Sequence, residues 1–84
     1  MNTIPTIHAK VNFRIILHFG YSLDVEDSGF VYATRERAIK EILKMNSKRV
    51  AYGLESEGSY VTLLEEHEDD GVFYTKHSTI IRLD

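Results

Sequence analysis

The segment Ile7 to Phe19 is the feature that most restricts the fold of this chain. Its odd positions are all apolar, and its even positions are polar or charged except for Ile16. Alternation with a period of two indicates a β-strand with one buried face, and the many β-branched and aromatic residues favour the same structure. At about 3.3 Å per residue the strand would be on the order of 40 Å long. We therefore expect it to be the spine of a sheet, pairing with different partners along its length or bending near Gly20.

The residues after this strand predict a loop and a second, shorter strand. Gly20 to Gly29 ends in turn-favouring residues and is interpreted as the loop. Phe30 to Ala33 is a run of β-forming residues, and antiparallel pairing back onto the first strand is the simplest connection.

A helix is predicted over Thr34 to Met45. Thr34 suits the N-cap position, and the apolar residues that follow have the spacing of an amphipathic helix. Asn46 is a natural left-handed cap, so the helix is expected to end there. Between Ser47 and Gly58 the pattern favours either a short strand or a helical turn.

The last third of the chain predicts a β-hairpin. Ser59 to Glu68 and Val72 to Leu83 are the two strands, and Asp70-Gly71 is a dipeptide favoured in two-residue type I′ turns. Such a turn predicts a cross-strand register. The expected pairs are Glu65 with Lys76, Val61 with Ile80, Thr62 with Thr79, Leu64 with His77, and Tyr60 with Ile81.

The predicted order is therefore strand, strand, helix, strand, strand. This order indicates an α+β fold, in which an antiparallel sheet of about four strands is covered on one face by one helix. The chain has 84 residues, a length that allows one hydrophobic core. We expect residues 1–84 to form a single small domain.

Composition excludes several classes of protein. The chain contains no cysteine, which excludes disulfides, zinc sites with thiolate ligands and cysteine nucleophiles. Its longest apolar runs are too short to cross a membrane, and Met1 to Thr6 lacks the features of a signal peptide. We expect a soluble cytoplasmic protein that does not bind membranes.

Charge is segregated along the chain although the net charge is only −3. Arg35 to Arg49 contains six basic and two acidic residues, whereas Val50 to Thr75 contains seven acidic residues and no Lys or Arg. Asp24, Glu26 and Asp27 are expected to add to the acidic region. Such a region either keeps the protein soluble and protects an edge strand or attracts a basic partner.

The candidate partner-binding residues combine these acidic side chains with aromatic ones. Tyrosine among carboxylates suits a surface that binds Arg and Lys side chains of another protein. The candidates are Glu55, Glu57, Tyr60, Glu65, Glu66, Glu68, Asp69, Asp70 and Tyr74.

The predicted helix suggests a different function. Arg37, Lys40, Lys44 and Lys48 are spaced to share its outer face, where they are either simply solvated or bind phosphates. Four cations on an acidic protein make direct binding of nucleic acid the weaker hypothesis.

No pattern in the sequence indicates catalysis, a metal or a cofactor. The region around His67 is rich in carboxylates, but its spacing does not match a known metal site. Nucleophile elbows, phosphate loops and dinucleotide-binding motifs are all missing. A small ribonuclease with scattered catalytic residues would leave no linear motif, and His18, Arg14 and the tyrosines are the candidates for its acid–base groups. We nevertheless expect a protein that is not an enzyme and needs no cofactor.

In its short length, lack of cysteine and clustered acidic residues, the chain resembles the small acidic inhibitors that phages and other mobile elements direct against host enzymes, anti-CRISPR proteins included. The resemblance is one of general design and involves no shared motif. It implies a larger partner protein with a basic surface that handles nucleic acid, blocked by carboxylates in place of phosphates. The alternatives are a nucleic-acid-binding protein and a homodimer joined at a sheet edge.

Overall fold

The computed structural model describes residues 10–83, which form one antiparallel sheet and one α-helix. The sheet has the strand order β2-β1-β3-β4, so β1 and β3 are central and β2 and β4 are edges. The elements in chain order are β1 (Lys10–His18), β2 (Val25–Tyr32), α1 (Arg35–Ser47), a 3-10 helix (Arg49–Tyr52), β3 (Tyr60–Asp69) and β4 (Val72–Arg82). The predicted α+β fold class is confirmed, while Ile7 to Ala9 of the predicted first strand lie outside the described residues.

The core lies between α1 and one face of the sheet. Alternation along β1 turns Phe13, Ile15 and Leu17 towards the helix, and all three are buried. The other core residues are Ala38, Ile42 and Met45 of α1, Leu54, and Val61 and Leu63 of β3. The opposite face of the sheet, called the open face below, faces away from α1.

Helix α1 begins where the sequence predicts and ends later. The Thr34 side chain accepts a hydrogen bond from the backbone N–H of Arg37 at 3.3 Å, as expected for an N-cap. The predicted end at Asn46 is wrong, because the C-cap is Lys48. Asn46 stays helical, and its Oδ1 instead accepts hydrogen bonds from the Arg49 guanidinium.

The segment between α1 and β3 contributes to the core. Of the two predicted alternatives, the helical turn is the one that forms, as the 3-10 helix Arg49–Tyr52. Gly53 ends it with a φ of 73°, a conformation that glycine adopts without strain. Leu54 follows and is completely buried, which anchors the connection to the core.

Strand β2 is longer than predicted, because part of the predicted loop belongs to it. Phe13 pairs with Tyr32, as antiparallel return onto β1 requires, but Ile16 pairs with Asp27 after a change of register. The Ser28 hydroxyl donates to the Ile15 carbonyl oxygen at 2.6 Å within this irregular stretch. Pairing with β1 therefore overrides the weak strand propensity of Asp, Ser and Gly.

The β3–β4 hairpin has the predicted turn but not the predicted register. Asp70 and Gly71 have φ values of 55° and 80°, as both central residues of a type I′ turn require. The register set by this turn holds from Asp69 opposite Val72 to Glu66 opposite Thr75. Beyond it Glu65 lies opposite His77, because a β-bulge at Lys76 adds one residue to β4.

The bulge makes all five predicted cross-strand pairs wrong by one residue. A bulge depends on local backbone geometry, and no glycine or proline in the middle of β4 indicates its position. The observed pairs are Glu65 with His77, Leu64 with Ser78, Thr62 with Ile80, Val61 with Ile81, and Tyr60 with Arg82.

Leu54 lies outside the helices and strands, but its side chain is buried in the core. Shortening this side chain should therefore cause a large loss of stability. We expect Leu54→Ala to lower the free energy of unfolding by about 2–5 kcal/mol, because it leaves a cavity in the core. Val50→Ala is the matched control, since Val50 is 78% exposed and the change should stay within about 0.5 kcal/mol. Urea unfolding of both variants measures the difference, and equal effects would contradict the role of Leu54.

Candidate functional site

The nine candidate residues do not form one continuous patch. Glu55 and Glu57 lie in the loop before β3, whereas Asp69 and Asp70 lie at its other end. The ten residues of β3 separate these two groups by roughly 30 Å at about 3.3 Å per residue. A partner of ordinary size can contact one group without contacting the other.

Glu65 belongs to a cluster on the α1 side of the sheet. Its Oε2 lies 2.6 Å from Nε2 of His67, and the His67 ring stacks on Tyr74 with centroids 5.8 Å apart. The hydrogen bond from His67 lowers the pKa of the Glu65 carboxyl, and the nearby His77 and Lys76 act in the same direction. The charge of Glu65 is thus partly compensated within the hairpin.

Glu66 points to the open face and is held by an arginine from the neighbouring strand. Arg14 donates from Nε to Oε1 of Glu66 at 3.0 Å and from Nη1 to Oδ2 of Asp27 at 2.8 Å. The hydrogen bond to Glu66 is the main cause that raises the pKa of Arg14. The three side chains connect β2, β1 and β3, so Glu66 and Asp27 have a structural role.

Tyr60 also lies on the open face, at the opposite end from the hairpin turn. Its ring stacks on His18 with centroids 4.1 Å apart and an angle of 11° between the planes. Nε2 of His18 lies 2.8 Å from Oγ1 of Thr62. Burial lowers the pKa of His18 below its usual value, because desolvation penalises the charged imidazolium.

The remaining acidic candidates lie at the hairpin end of β3, with Glu68 on the open face and Asp69 on the α1 side. We define the acidic turn as Glu68, Asp69 and Asp70. Within residues 10–83 these three carboxylates form no salt bridge, although Glu68 pairs across the strands with Lys10. Asp69 and Asp70 are exposed, and the half-exposed Tyr74 lies near them on the same hairpin. Of the candidate set, this group combines carboxylates without a salt bridge to another described residue and an accessible aromatic ring.

The basic face of α1 is also accessible. Arg37, Lys40, Lys44 and Lys48 are all exposed, and none of them forms a salt bridge with another described residue. The helix packs on β1 and β2, so its cations lie away from the acidic turn of the outer hairpin. The charge segregation in the sequence therefore becomes a separation in space.

Glu41 is a residue of structural importance that the sequence pattern did not reveal. Its Oε1 accepts a hydrogen bond from the Tyr32 hydroxyl, and its Oε2 accepts one from the Tyr52 hydroxyl, both at 3.1 Å. Burial is the main cause that raises the pKa of each tyrosine, and Glu41 adds to the effect. These contacts tie α1 to β2 and the 3-10 helix, and assign Tyr32 and Tyr52 to structure.

Among residues 10–83, no group of three or more His, Asp or Glu side chains is arranged to hold a metal ion. In the same part of the chain, no helix has the length and apolar character needed to cross a membrane. Comparison of the sequence with protein-family models and curated proteins, and of the chain with solved structures, found no match.

The partly buried position of His18 predicts a specific pH dependence of stability. Its pKa is lowered in the folded state from the ordinary 6.5, so the unfolded chain takes up the proton first as the pH falls. Stability should therefore decrease as the pH drops through about 6.5 towards the folded pKa. We expect the urea midpoint to fall between about pH 7.5 and pH 5.5 for this reason.

The variant His18→Phe tests the assignment, because it keeps an aromatic ring on Tyr60 and removes the titrating group. It should show a smaller loss of stability over that pH range than the wild type. Leu43→Gln changes an exposed residue of α1 that carries no titrating group and is the control that should keep the wild-type loss. An unchanged pH dependence in His18→Phe would contradict the prediction.

Proposed function

We propose that this chain is a non-enzymatic protein-binding module whose acidic turn engages a basic surface of a larger protein. The observation that supports the proposal is the presence of three carboxylates at successive positions, without salt bridges among residues 10–83, at the end of a hairpin. Exposed negative charge speeds encounter with a positive surface.

The backbone of the acidic turn favours binding over mere solubility. The type I′ conformation fixes the backbone at Asp70 and Gly71, so little backbone freedom would be lost there on binding. Tyr74 adds an aromatic face that suits cation–π contact with Arg or Lys side chains of the partner. The exposed Val72 offers apolar area next to the charges.

A basic surface on a large protein commonly serves to bind DNA or RNA. Carboxylates on a rigid turn would occupy such a surface in place of phosphates and exclude the nucleic acid. The proposed activity is therefore inhibition of a nucleic-acid-handling protein, which is the mode of action of the small acidic inhibitors that the sequence resembles.

A second candidate function is binding of nucleic acid through α1. It is favoured by the exposed basic face of Arg37, Lys40, Lys44 and Lys48. Titration of labelled duplex DNA and single-stranded RNA at about 50 and 200 mM salt separates the two candidates. The proposal expects no binding at either salt concentration, whereas micromolar binding that weakens steeply with salt would replace it with the second candidate.

Neutralising the acidic turn should abolish capture of the partner. The variant Glu68→Gln, Asp69→Asn, Asp70→Asn keeps side-chain size, and asparagine tolerates the positive φ at position 70. Loss of three charges at a binding surface should weaken affinity by about tenfold or more. The control is Glu55→Gln, Glu57→Gln, which removes two charges from the distant loop.

The measurement begins with affinity capture from a nuclease-treated extract and identification of the retained protein. That protein is then purified and titrated against the wild type and both variants, with duplex DNA as a competitor. The proposal requires weaker binding by the acidic-turn variant, unchanged binding by the loop variant, and displacement by DNA. Equal binding by all three forms would overturn it.

A further inference from the structure

Strand β4 is an edge of the sheet with an unusual distribution of apolar side chains. Within residues 10–83 it pairs with β3 alone, and residues 72–80 of its eleven are all exposed. Val72 and Phe73 lie at one end and Ile80 and Ile81 at the other, with Phe73 54% and Ile80 62% exposed. An exposed edge with apolar residues at both ends is a template for pairing with another strand.

The bulge at Lys76 changes which face each residue of β4 occupies. Residues directly opposite each other in a sheet share a face. Before the bulge, Phe73 lies opposite Glu68 on the open face, whereas Val72 lies opposite Asp69 on the α1 side. After the bulge the parity is reversed, so even-numbered Ile80 lies on the open face and odd-numbered Ile81 on the α1 side.

This reversal makes β4 complementary to a second copy of itself. When two such strands pair antiparallel about a twofold axis between positions 76 and 77, Val72 lies opposite Ile81 of the second copy on the α1 side. Phe73 then lies opposite Ile80 of the second copy on the open face. Each pair joins two apolar residues on the same face, and apolar cross-strand pairs of this kind stabilise a sheet.

Charge favours the same register. Arg82 ends β4 and is exposed, and in this arrangement it lies opposite Gly71 of the second copy, next to the acidic turn. The twofold axis repeats the contact at the other end, so each acidic turn meets one arginine. Opposite charges across strands are stabilising. At the axis Lys76 lies opposite His77 of the second copy, so the attraction acts at the two ends of the strand pair and not at its centre.

We propose that two copies of this chain pair through β4, joining two four-stranded sheets into one continuous antiparallel sheet. The acidic turns lie at opposite ends of the shared pair of strands, roughly 35 Å apart at about 3.3 Å per residue. The dimer thus presents two acidic turns to the solvent. The dimer needs no other partner, but it places Val72 and Arg82 beside each acidic turn, so it uses surface next to that proposed above for the basic partner.

The mass in solution is the first test. Sedimentation equilibrium of the full chain between about 1 and 500 µM should show a monomer–dimer equilibrium, as expected for a small isologous interface. Ile80→Lys should weaken the dimer by about tenfold or more, because the twofold axis places each changed residue in the interface twice. Leu43→Lys is the control, since Leu43 is exposed on α1, and should leave the dissociation constant unchanged.

Cross-linking tests the register directly, because the natural chain contains no cysteine. An equal mixture of Phe73→Cys and Ile80→Cys should form disulfide-linked dimers under mild oxidation about tenfold faster than either variant alone, since the interface raises the effective concentration of the two thiols. Leu43→Cys mixed with Phe73→Cys gives the rate for random collision.

A monomer over the whole concentration range, or equal cross-linking in all mixtures, would overturn the dimer. Either result would leave the binding of a basic partner by the acidic turn unaffected. A dimer that forms without preferential cross-linking between positions 73 and 80 would also overturn the proposal, since it would use a different surface or register.

Discussion

The pairing of β1 on both of its edges is the constraint on which the rest of the structure depends. Its apolar face supplies Phe13, Ile15 and Leu17 to the core, and its polar face supplies Arg14, which links the two neighbouring strands. Because this strand is the centre of the sheet and supplies three of the nine core residues, β2 and β3 are positioned against β1 and not against each other. The connection anchored by Leu54 then holds α1 over the same strand.

Local sequence patterns were sufficient to predict the helix and the strands. Where the strands begin and how they align is decided by their pairing. The alternation of β1, the Thr34 cap and the Asp70-Gly71 turn are properties of a few neighbouring residues, and each is confirmed. The length of β2 depends on its pairing with β1, and the register of β4 depends on a bulge. A bulge shifts the register by one residue without requiring a particular residue type, so a single sequence does not reveal it.

The candidate site was predictable in composition but not in geometry. Counting charges located the acidic region, yet alternation along β3 sends Glu65 and Glu66 to opposite faces, where His67 and Arg14 meet them. His67 lies two residues after Glu65 on the same strand, so that contact follows from alternation alone. Arg14 reaches Glu66 through the register between β1 and β3, for which the sequence contains no signal. The fold pairs Glu65 and Glu66 with other side chains. The carboxylates of the acidic turn are therefore the ones left without such partners among the described residues.

The strand order also has a consequence for how the chain folds. Each outer strand belongs to a hairpin with its neighbour in sequence, but the two hairpins meet only through the β1–β3 pairing, which joins residues such as Arg14 and Glu66, 52 positions apart. Closing such a long loop is slow compared with forming either hairpin. Before the β1–β3 pairing forms, the two hairpins expose four strand edges instead of two. The chain is therefore most prone to aggregate at this stage of folding.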